Sequence, residues 1–92
     1  MTELNLETRL SAPAHVVSRE VDEETVLLNL ESGLYFGVDK VGQLIWQLVH
    51  DGNSLGDIVE AIVAEYDVES SQAKDDVLAF VGTLLEKGLL TR

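Results

Sequence analysis

The sequence predicts an α+β fold in which three short antiparallel strands precede three amphipathic helices. Residues 15–38 are rich in apolar and β-branched side chains and are interrupted twice by turn-forming residues, which is typical of strands. Residues 40–90 instead repeat apolar side chains every three or four positions, which is typical of helices. Residues 1–14 have neither pattern and are expected to form an arm ahead of one domain at residues 15–92.

The strand region divides at its turns. The predicted strands cover residues 15–21, 25–30 and 34–38. A polar turn at residues 20–24 separates the first two, and Gly33 tolerates the positive φ of a tight turn before the third. Leu27 alternates with Val26 and Leu28, so the second strand is apolar on both faces. We therefore expect another part of the chain to cover some of its outer face.

Caps and glycines delimit the three helices. Asp39, Ser54 and Ser70 are placed to accept hydrogen bonds from the free backbone donors at the three helix starts. Gly52 and Gly88 follow the last apolar positions of the first and third helices and are expected to end them. The side chains expected to be buried are Val41, Leu44, Ile45, Leu48 and Val49, then Leu55, Ile58, Val59, Ile62, Val63 and Tyr66, then Ala73, Val77, Phe80, Val81, Leu84 and Leu85.

Net charge restricts the binding partners of this chain. Its 92 residues include 17 Asp and Glu against six Lys and Arg, which gives a formal charge of -11. Proteins that bind nucleic acid neutralise phosphates with clustered Lys and Arg, whereas the six cations here are scattered. We therefore expect no binding to nucleic acid. The acidity favours solubility, and steering of basic partners is the further alternative.

Targeting and redox signals are absent from the sequence. No apolar run approaches the roughly 18 residues of a membrane span, and MTELNLETRL is acidic where a secretory signal is basic. The chain has no cysteine, which excludes a disulfide framework and a thiolate metal site. We expect a cytoplasmic protein that does not bind membranes. In its arm, Leu4, Leu6 and Leu10 are expected to pack on the domain, and Pro13 to interrupt regular structure.

No residue set has the spacing of a catalytic or metal site. His15 and His50 lie on different elements, far short of the roughly four converging ligands of a metal site. Asp75 and Asp76 diverge by about 100° on a helix, so they cannot act as a facing pair of carboxylates. Trp46 lies off its helix's apolar stripe and is expected to widen the buried face or cover a sheet edge, with contact to a ligand as the alternative. We predict no enzymatic activity, no catalytic residues, no metal and no cofactor.

Five short segments stand out along the chain: LLNL at 27–30, GLYFGVD at 33–39, Val-Gly at 41–42, Ile-Trp at 45–46 and KGLL at 87–90. As a set, in this order and spacing, they resemble the PqqD-like family of RiPP recognition elements. The resemblance implies a winged-helix-like domain of three strands and three helices. It also implies a stand-alone protein that binds the leader segment of a ribosomally made precursor peptide and presents it to a maturation enzyme. A leader peptidase of a lasso-peptide pathway is the favoured partner; a radical-SAM peptide maturase, or a role as a protein–protein adaptor, is the alternative.

The third strand is the expected docking element. As an edge strand it would expose unpaired backbone groups, and it contains no lysine or proline to block pairing. A leader peptide could therefore add as a fourth strand. The resemblance implies that the peptide lies in a groove between the third strand and the third helix. The same free edge leaves both a monomer and a weak homodimer open.

The predicted peptide-binding residues come from both walls of this groove. They are Leu34, Tyr35, Phe36, Gly37 and Val38 of the strand, and Asp76, Phe80, Val81, Thr83 and Lys87 of the helix. Strand alternation predicts that Leu34, Phe36 and Val38 face mostly inward, with Tyr35 and Gly37 on the other side. On the helix, Phe80 and Val81 are expected to be shared between core and groove. Asp76, Thr83 and Lys87 are expected to form its polar rim.

Overall fold

The computed structural model describes residues 4–92, so residues 1–3 of the predicted arm lie outside the described residues. The strands are β1 (Val16–Val21), β2 (Glu24–Asn29) and β3 (Tyr35–Val38), and the helices are α1 (Lys40–His50), α2 (Leu55–Tyr66) and α3 (Ser70–Glu86). The strands form one antiparallel sheet in the order β1-β2-β3, which leaves β3 at an edge. The predicted α+β order is confirmed.

The turn between β1 and β2 has an unusual backbone. Val21 pairs with Glu24, so Asp22 and Glu23 form a two-residue loop. Both have positive φ, 51° and 70°, which is the pattern of a type I′ turn. This turn matches the twist of the strands, but it favours Asn-Gly because side chains with a Cβ are strained in the left-handed region. The two acidic residues therefore hold the hairpin at some cost in stability.

The loop between β2 and β3 is organised by the side chain of Asn29. Its buried Oδ1 accepts hydrogen bonds from the N–H of Glu31 at 2.9 Å and of Ser32 at 3.2 Å. Gly33 takes the predicted positive φ, 78°, and donates to the carbonyl of Asn29 at 2.8 Å. The N–H of Asn29 in turn donates to the carbonyl of Leu34 at 2.9 Å. One inward-facing amide thus fixes where β3 begins.

The inward orientation of Asn29 also sets the two faces of β2. Thr25, Leu27 and Asn29 are buried against the helices, while Val26 and Leu28 are half-buried on the opposite face. The expectation that β2 is apolar on both faces is confirmed, with Leu27 on the inner face and Val26 and Leu28 on the outer one. Side chains alternate along a strand, so an inward residue 29 places residue 27 inward as well.

The core lies between the inner sheet face and the three helices. Its buried apolar side chains are Leu10, Val16, Leu27, Val38, Ile45, Trp46, Val49, Leu55, Ile58, Val59, Ile62, Ala73, Val77, Val81, Leu84, Leu89 and Leu90. Trp46 is 6% exposed and packs within this cluster, which confirms the expectation that it widens the buried face of α1. Tyr66 differs from its prediction: it is the last residue of α2, and it is 38% exposed.

Two of the three predicted helix starts are confirmed. The carboxylate of Asp39 accepts from the N–H of Gly42 at 2.8 Å, and Ser54 Oγ accepts from the N–H of Asp57 at 3.2 Å. Ser70 is the first residue of α3 rather than its cap, a position taken by Glu69. The reason is that Asp67 ends α2 in the left-handed region, which leaves only a short extended link before α3 begins.

The end of α3 is a Schellman motif. Gly88 has φ of 72° and donates to the carbonyl of Leu85 at 3.2 Å, while the N–H of Leu89 donates to the carbonyl of Leu84 at 2.9 Å. The predicted termination at Gly88 is confirmed. The chain then reverses, and Leu89 and Leu90 return to the core.

The N-terminal arm completes the first turn of α2. The carbonyls of Thr8 and Leu6 accept from the N–H groups of Leu55 and Gly56 at 2.9 and 2.8 Å, so two helix-start donors have partners from outside the helix. Leu10 is buried, as predicted. Leu4 is half-buried against the core, whereas Leu6 meets α2 at Gly56 through its carbonyl and Cβ and is 42% exposed.

The arm also meets the other end of the described chain. The N–H of Ser11 donates to the carbonyl of Thr91, and the N–H of Thr91 donates to the carbonyl of Ser11, both at 2.7 Å. This exchange joins the segments that flank the domain. Among the described residues, no helix combines the length and the apolar content needed to span a bilayer.

Candidate functional site

The outer edge of β3 presents free backbone groups. The direct bond from Asn29 to Leu34 identifies that pair as hydrogen-bonded, and such pairs alternate along an antiparallel ladder. Phe36 therefore directs its N–H and C=O toward β2, whereas Tyr35 and Gly37 direct theirs toward the open edge. No other strand among residues 4–92 pairs with this edge. The predicted edge thus offers two donors and two acceptors.

The side chains of β3 follow the predicted alternation only within the strand itself. Val38 is buried and Phe36 half-buried on the inner side, and Tyr35 is 75% exposed on the other side. Leu34 is 68% exposed, so the expectation that it faces inward is wrong. The strand begins one residue later, and the N–H of Leu34 still belongs to the loop, where it donates to Ser32 Oγ at 3.2 Å.

A small groove lies between the start of β3 and the end of α3. Its volume is about 150 Å³, and it is lined by Leu34, Tyr35, Phe36, Lys87 and Leu89. The Lys87 ammonium lies 5.5 Å from the centroid of the Phe36 ring, which is within the range of a cation–π contact. One predicted rim residue and three predicted strand residues therefore meet here. The groove has apolar walls and a single cationic group.

The middle of α3 approaches β3 through an aromatic ring. Phe80 is half-buried, and its ring lies against Gly42 of α1 and beside Val38. Val81 is fully buried, so it belongs to the core and offers no surface to a peptide in this structure. Adjacent residues on a helix diverge by about 100°, so the two predicted groove residues cannot share one face. Only Phe80 is placed at the boundary of core and surface.

The predicted polar rim shares one side of α3. Asp76, Phe80, Thr83 and Lys87 follow each other at three- or four-residue spacing. The exposed Asp76 carboxylate accepts from Gln72 at 2.9 Å, and the Thr83 hydroxyl donates to the carbonyl of residue 79 at 3.0 Å. The rim residues therefore share one side of α3, and of these three Lys87 lies beside a β3 side chain, that of Phe36.

Sequence reasoning missed an acidic cavity at the far end of β3. It has a volume of about 480 Å³ and is lined by Glu23, Glu24, Thr25, Gly37, Val38, Asp39, Lys40 and Gln43. The signal was present in the carboxylate run 22–24, because the hairpin brings that turn beside the residues that follow β3. In the sequence alone this run is indistinguishable from a solvated turn.

Sequence reasoning placed apolar side chains on both faces of the second strand, but it missed that those on the open face continue across the whole sheet. Val17 pairs with Leu28, and Leu28 pairs with Tyr35, so a row of three such side chains crosses all three strands. Leu30, which is 59% exposed, borders this row at one end. The row could have been found only by knowing which face of β2 is inward. It makes the side of the sheet away from the helices a second candidate contact surface.

Side chains that could ligate a metal do not converge in the described part of the chain. Within residues 4–92, no cluster of three or more His, Cys, Asp or Glu is arranged to hold a metal ion. His15 Nδ1 lies 3.4 Å from Glu31 Oε2 at the β2–β3 loop, away from His50 at the end of α1. Chemically, the β3–α3 region can therefore supply main-chain hydrogen bonds, apolar contact and charge.

Comparisons with known proteins agree on one family. Residues 24–90 match the family described as coenzyme PQQ synthesis protein D (PqqD). The chain is similar to the structure of TbiB1 in complex with the TbiA(beta) leader peptide, with 42% identity, a TM-score of 0.80, and coverage of 87% of this chain and 93% of that one. It is also similar to lasso peptide synthetase B1 complexed with the leader peptide, with 29% identity, a TM-score of 0.85, and coverage of 92% and 100%. No curated protein sequence matches.

Proposed function

Because the chain belongs to the PqqD family, we propose that it binds the leader segment of a ribosomally made precursor peptide. The single observation that carries this proposal is the open edge of β3, where Tyr35 and Gly37 direct their backbone groups away from the sheet. Two similar proteins are bound to leader peptides in their solved structures. In this proposal the chain holds the peptide and neither makes nor breaks a covalent bond.

The peptide adds to the sheet as a fourth strand. Its backbone pairs with the outward groups of β3, which gives affinity that depends little on sequence. Side chains on one face of the added strand contact Phe36 and Lys87 in the small groove, and contact Phe80 farther along α3. Since a free leader loses conformational entropy on binding, these few apolar contacts decide which peptides bind.

A lasso-peptide pathway is the favoured setting. One of the two similar structures is a lasso peptide synthetase B1, and the chain covers all of that protein at a TM-score of 0.85. In such a setting the recipient of the peptide is the leader peptidase. A radical-SAM peptide maturase, or a non-catalytic adaptor role toward one folded partner, is the alternative that no observation favours.

The open face of the sheet is suited to the maturation enzyme. A peptide added beside β3 extends the sheet sideways, so it leaves the row of Val17, Leu28 and Tyr35 uncovered. Contiguous exposed apolar side chains commonly mark protein–protein contacts, and Leu30 enlarges this row. The enzyme would thus bind next to the peptide and receive it without displacing it.

Amide chemical shifts test the binding site directly. The isotope-labelled chain is titrated with the TbiA(beta) leader peptide, the ligand of a relative with 42% identity. We expect the largest changes at residues 34–38 and along the Asp76–Lys87 side of α3. Changes confined to α2 or to the arm would contradict strand addition at β3. Titration with leaders encoded near the gene for this chain extends the test to its own precursor.

A further inference from the structure

We infer that the groove selects peptides carrying a basic side chain where the bound strand passes Val38, and that the acidic cavity there receives it. The inference rests on the proposed leader-peptide binding and adds a charge pattern to it. The cavity, of about 480 Å³, adjoins β3 through Gly37 and Val38. A strand hydrogen-bonded to the outward groups of Gly37 therefore passes beside two residues that line the cavity.

The walls of the cavity carry a net negative charge. Glu23 and Glu24 come from the β1–β2 turn and Asp39 from the start of α1, against the single ammonium of Lys40. Within residues 4–92, no lysine or arginine forms an ion pair with any of these three carboxylates. The positive φ of Glu23 belongs to the two-residue turn, so the hairpin itself places this residue at the cavity.

The hydroxyl of Thr25 supplies a second, independent feature. Thr25 lines the cavity and is 5% exposed, and its hydroxyl makes no hydrogen bond to another described residue. Among the described residues, every side-chain oxygen or nitrogen that is closed off from solvent has a partner, so this hydroxyl keeps contact with solvent and can accept from a donor that enters from outside. An ammonium or guanidinium group donates to hydroxyl and carboxylate oxygens at once. The described residues hold no cluster fit for a metal ion, which favours an organic cation as the occupant.

The other end of β3 has the opposite charge. There the ammonium of Lys87 lies beside Phe36, and the remaining walls are apolar. The docking strand thus lies between a cationic end near Leu34 and an anionic end near Val38. A peptide with a basic residue at only one end binds in one direction, because the reverse orientation brings like charges together.

Selection from a displayed library of random peptides tests the inference. The wild-type chain is expected to enrich Lys or Arg at one fixed distance from the apolar anchors, and Glu23→Gln/Glu24→Gln to lose that enrichment. Glu60→Gln/Glu65→Gln, which removes two charges from α2, is the matched control and should keep it. Replacing the enriched basic residue by Gln should weaken binding to the wild type by about three- to tenfold. The same replacement should change binding to Glu23→Gln/Glu24→Gln by less than about twofold.

Thr25→Val tests the contribution of the hydroxyl independently of the carboxylates. We expect this nearly isosteric variant to fold and to weaken only peptides that carry the basic residue. Basic residues enriched at no fixed position, or equal effects of the two glutamine double variants, would overturn the inference while leaving peptide binding intact. If no selected peptide shifts the amides of residues 34–38, the proposed function itself fails.

Discussion

Gly42 of α1 and Phe80 of α3 are in direct contact, with ring atoms Cε1 and Cζ each 3.0 Å from the position a Cβ on residue 42 would occupy. Val38 of β3 lies against the same position, its Cβ at 3.1 Å. The absence of a side chain at Gly42 therefore lets the first and third helices meet behind the edge strand. The contact sets how far the α3 wall stands from β3.

Gly42→Ala should destabilise the protein. The added methyl group is closer to the Phe80 ring and to Val38 than packed atoms allow, which costs about 1–3 kcal/mol, while the helix propensity of alanine returns about 1 kcal/mol. We expect a net loss of about 1 kcal/mol in the free energy of unfolding, measured by urea denaturation. Gly82→Ala is the matched control, because nothing lies within 4 Å of its Cβ position.

That control should be stabilised by about 0.5–1 kcal/mol, since a helical glycine is replaced without a clash. Adding Phe80→Leu to Gly42→Ala should recover part of the loss by freeing space at the contact. Equal stability of the two alanine variants would show that α1 and α3 adjust easily and that Gly42 does not set their spacing.

Gly37→Pro should abolish strand addition and leave the free protein folded. Proline removes the N–H of residue 37, which points to the open edge, so no hydrogen bond to β2 is lost. A docking peptide, however, loses this donor for one of its carbonyls and clashes with the proline ring. We expect at least a tenfold loss of affinity for a leader peptide by isothermal titration calorimetry. Gly37→Ala retains the N–H and has open space at its Cβ position, so it should bind like the wild type.

Proline at the neighbouring position should behave differently. The N–H of Phe36 points toward β2, so Phe36→Pro should lower stability as well as binding. A folded Gly37→Pro variant with wild-type affinity would exclude the backbone pairing proposed for β3.

Asp22→Asn/Glu23→Gly should stabilise the β1–β2 hairpin. Both residues have positive φ, and Asn-Gly adopts the type I′ turn with less strain. We expect a gain of about 1 kcal/mol in the free energy of unfolding, seen as a higher melting temperature. Glu24→Gly, at the first position of β2, should instead lower the free energy of unfolding, because glycine weakens a strand. A loss of stability in the double variant would mean that the two acidic side chains make contacts that outweigh the strain.

Asn29→Ala should loosen the loop that precedes β3. The substitution removes the acceptor for the N–H groups of Glu31 and Ser32, at a cost of about 1–2 kcal/mol. Hydrogen exchange should show faster opening of residues 31–35. Ser32→Ala removes one exposed acceptor in the same loop and should cost about 0.5 kcal/mol. Identical exchange in the two variants would argue against a controlling role for Asn29.

Leu30→Ser should separate enzyme binding from peptide binding. The side chain is 59% exposed beside the apolar row, so the change in stability should stay within about 0.5 kcal/mol. Peptide affinity should not change, while association with the leader peptidase, measured by calorimetry, should weaken about fivefold or more. Tyr66→Ser, at the end of α2, is the control on another surface. Equal enzyme affinity of both variants would remove the open face as the presentation surface.

Local patterns predicted the elements and most of their ends. Asp39 and Ser54 cap helices, and Gly88 ends one, because these residues act through bonds to their immediate neighbours. The sequence predicted less well which side chains of each element face the core. The inner face of β2 could not be read from its sequence, since Val26, Leu27 and Leu28 are all apolar and only the inward Asn29 fixes the alternation.

The candidate site was predictable as an element and less so as a set of side chains. An edge strand without lysine or proline follows from the strand order, and the structure has that strand at the edge. Val81 and Leu34 were misplaced, because helix rotation and the true start of β3 depend on long-range packing. The acidic cavity joins Glu23 to Asp39 through the pairing of three strands, which no local pattern contains.

The mutual hydrogen bonds of Ser11 and Thr91 tie the arm to the segment that follows α3. Leu6 and Thr8 accept from the start of α2 and Leu10 is buried, so residues 6–11 belong to the folded unit and are not a separable tail. A tag or linker inserted between residues 6 and 11 would therefore disturb α2 and the core. The exposed turn at Asp22 and Glu23, where two strands reverse direction, is the better place for an inserted fluorescent or affinity tag.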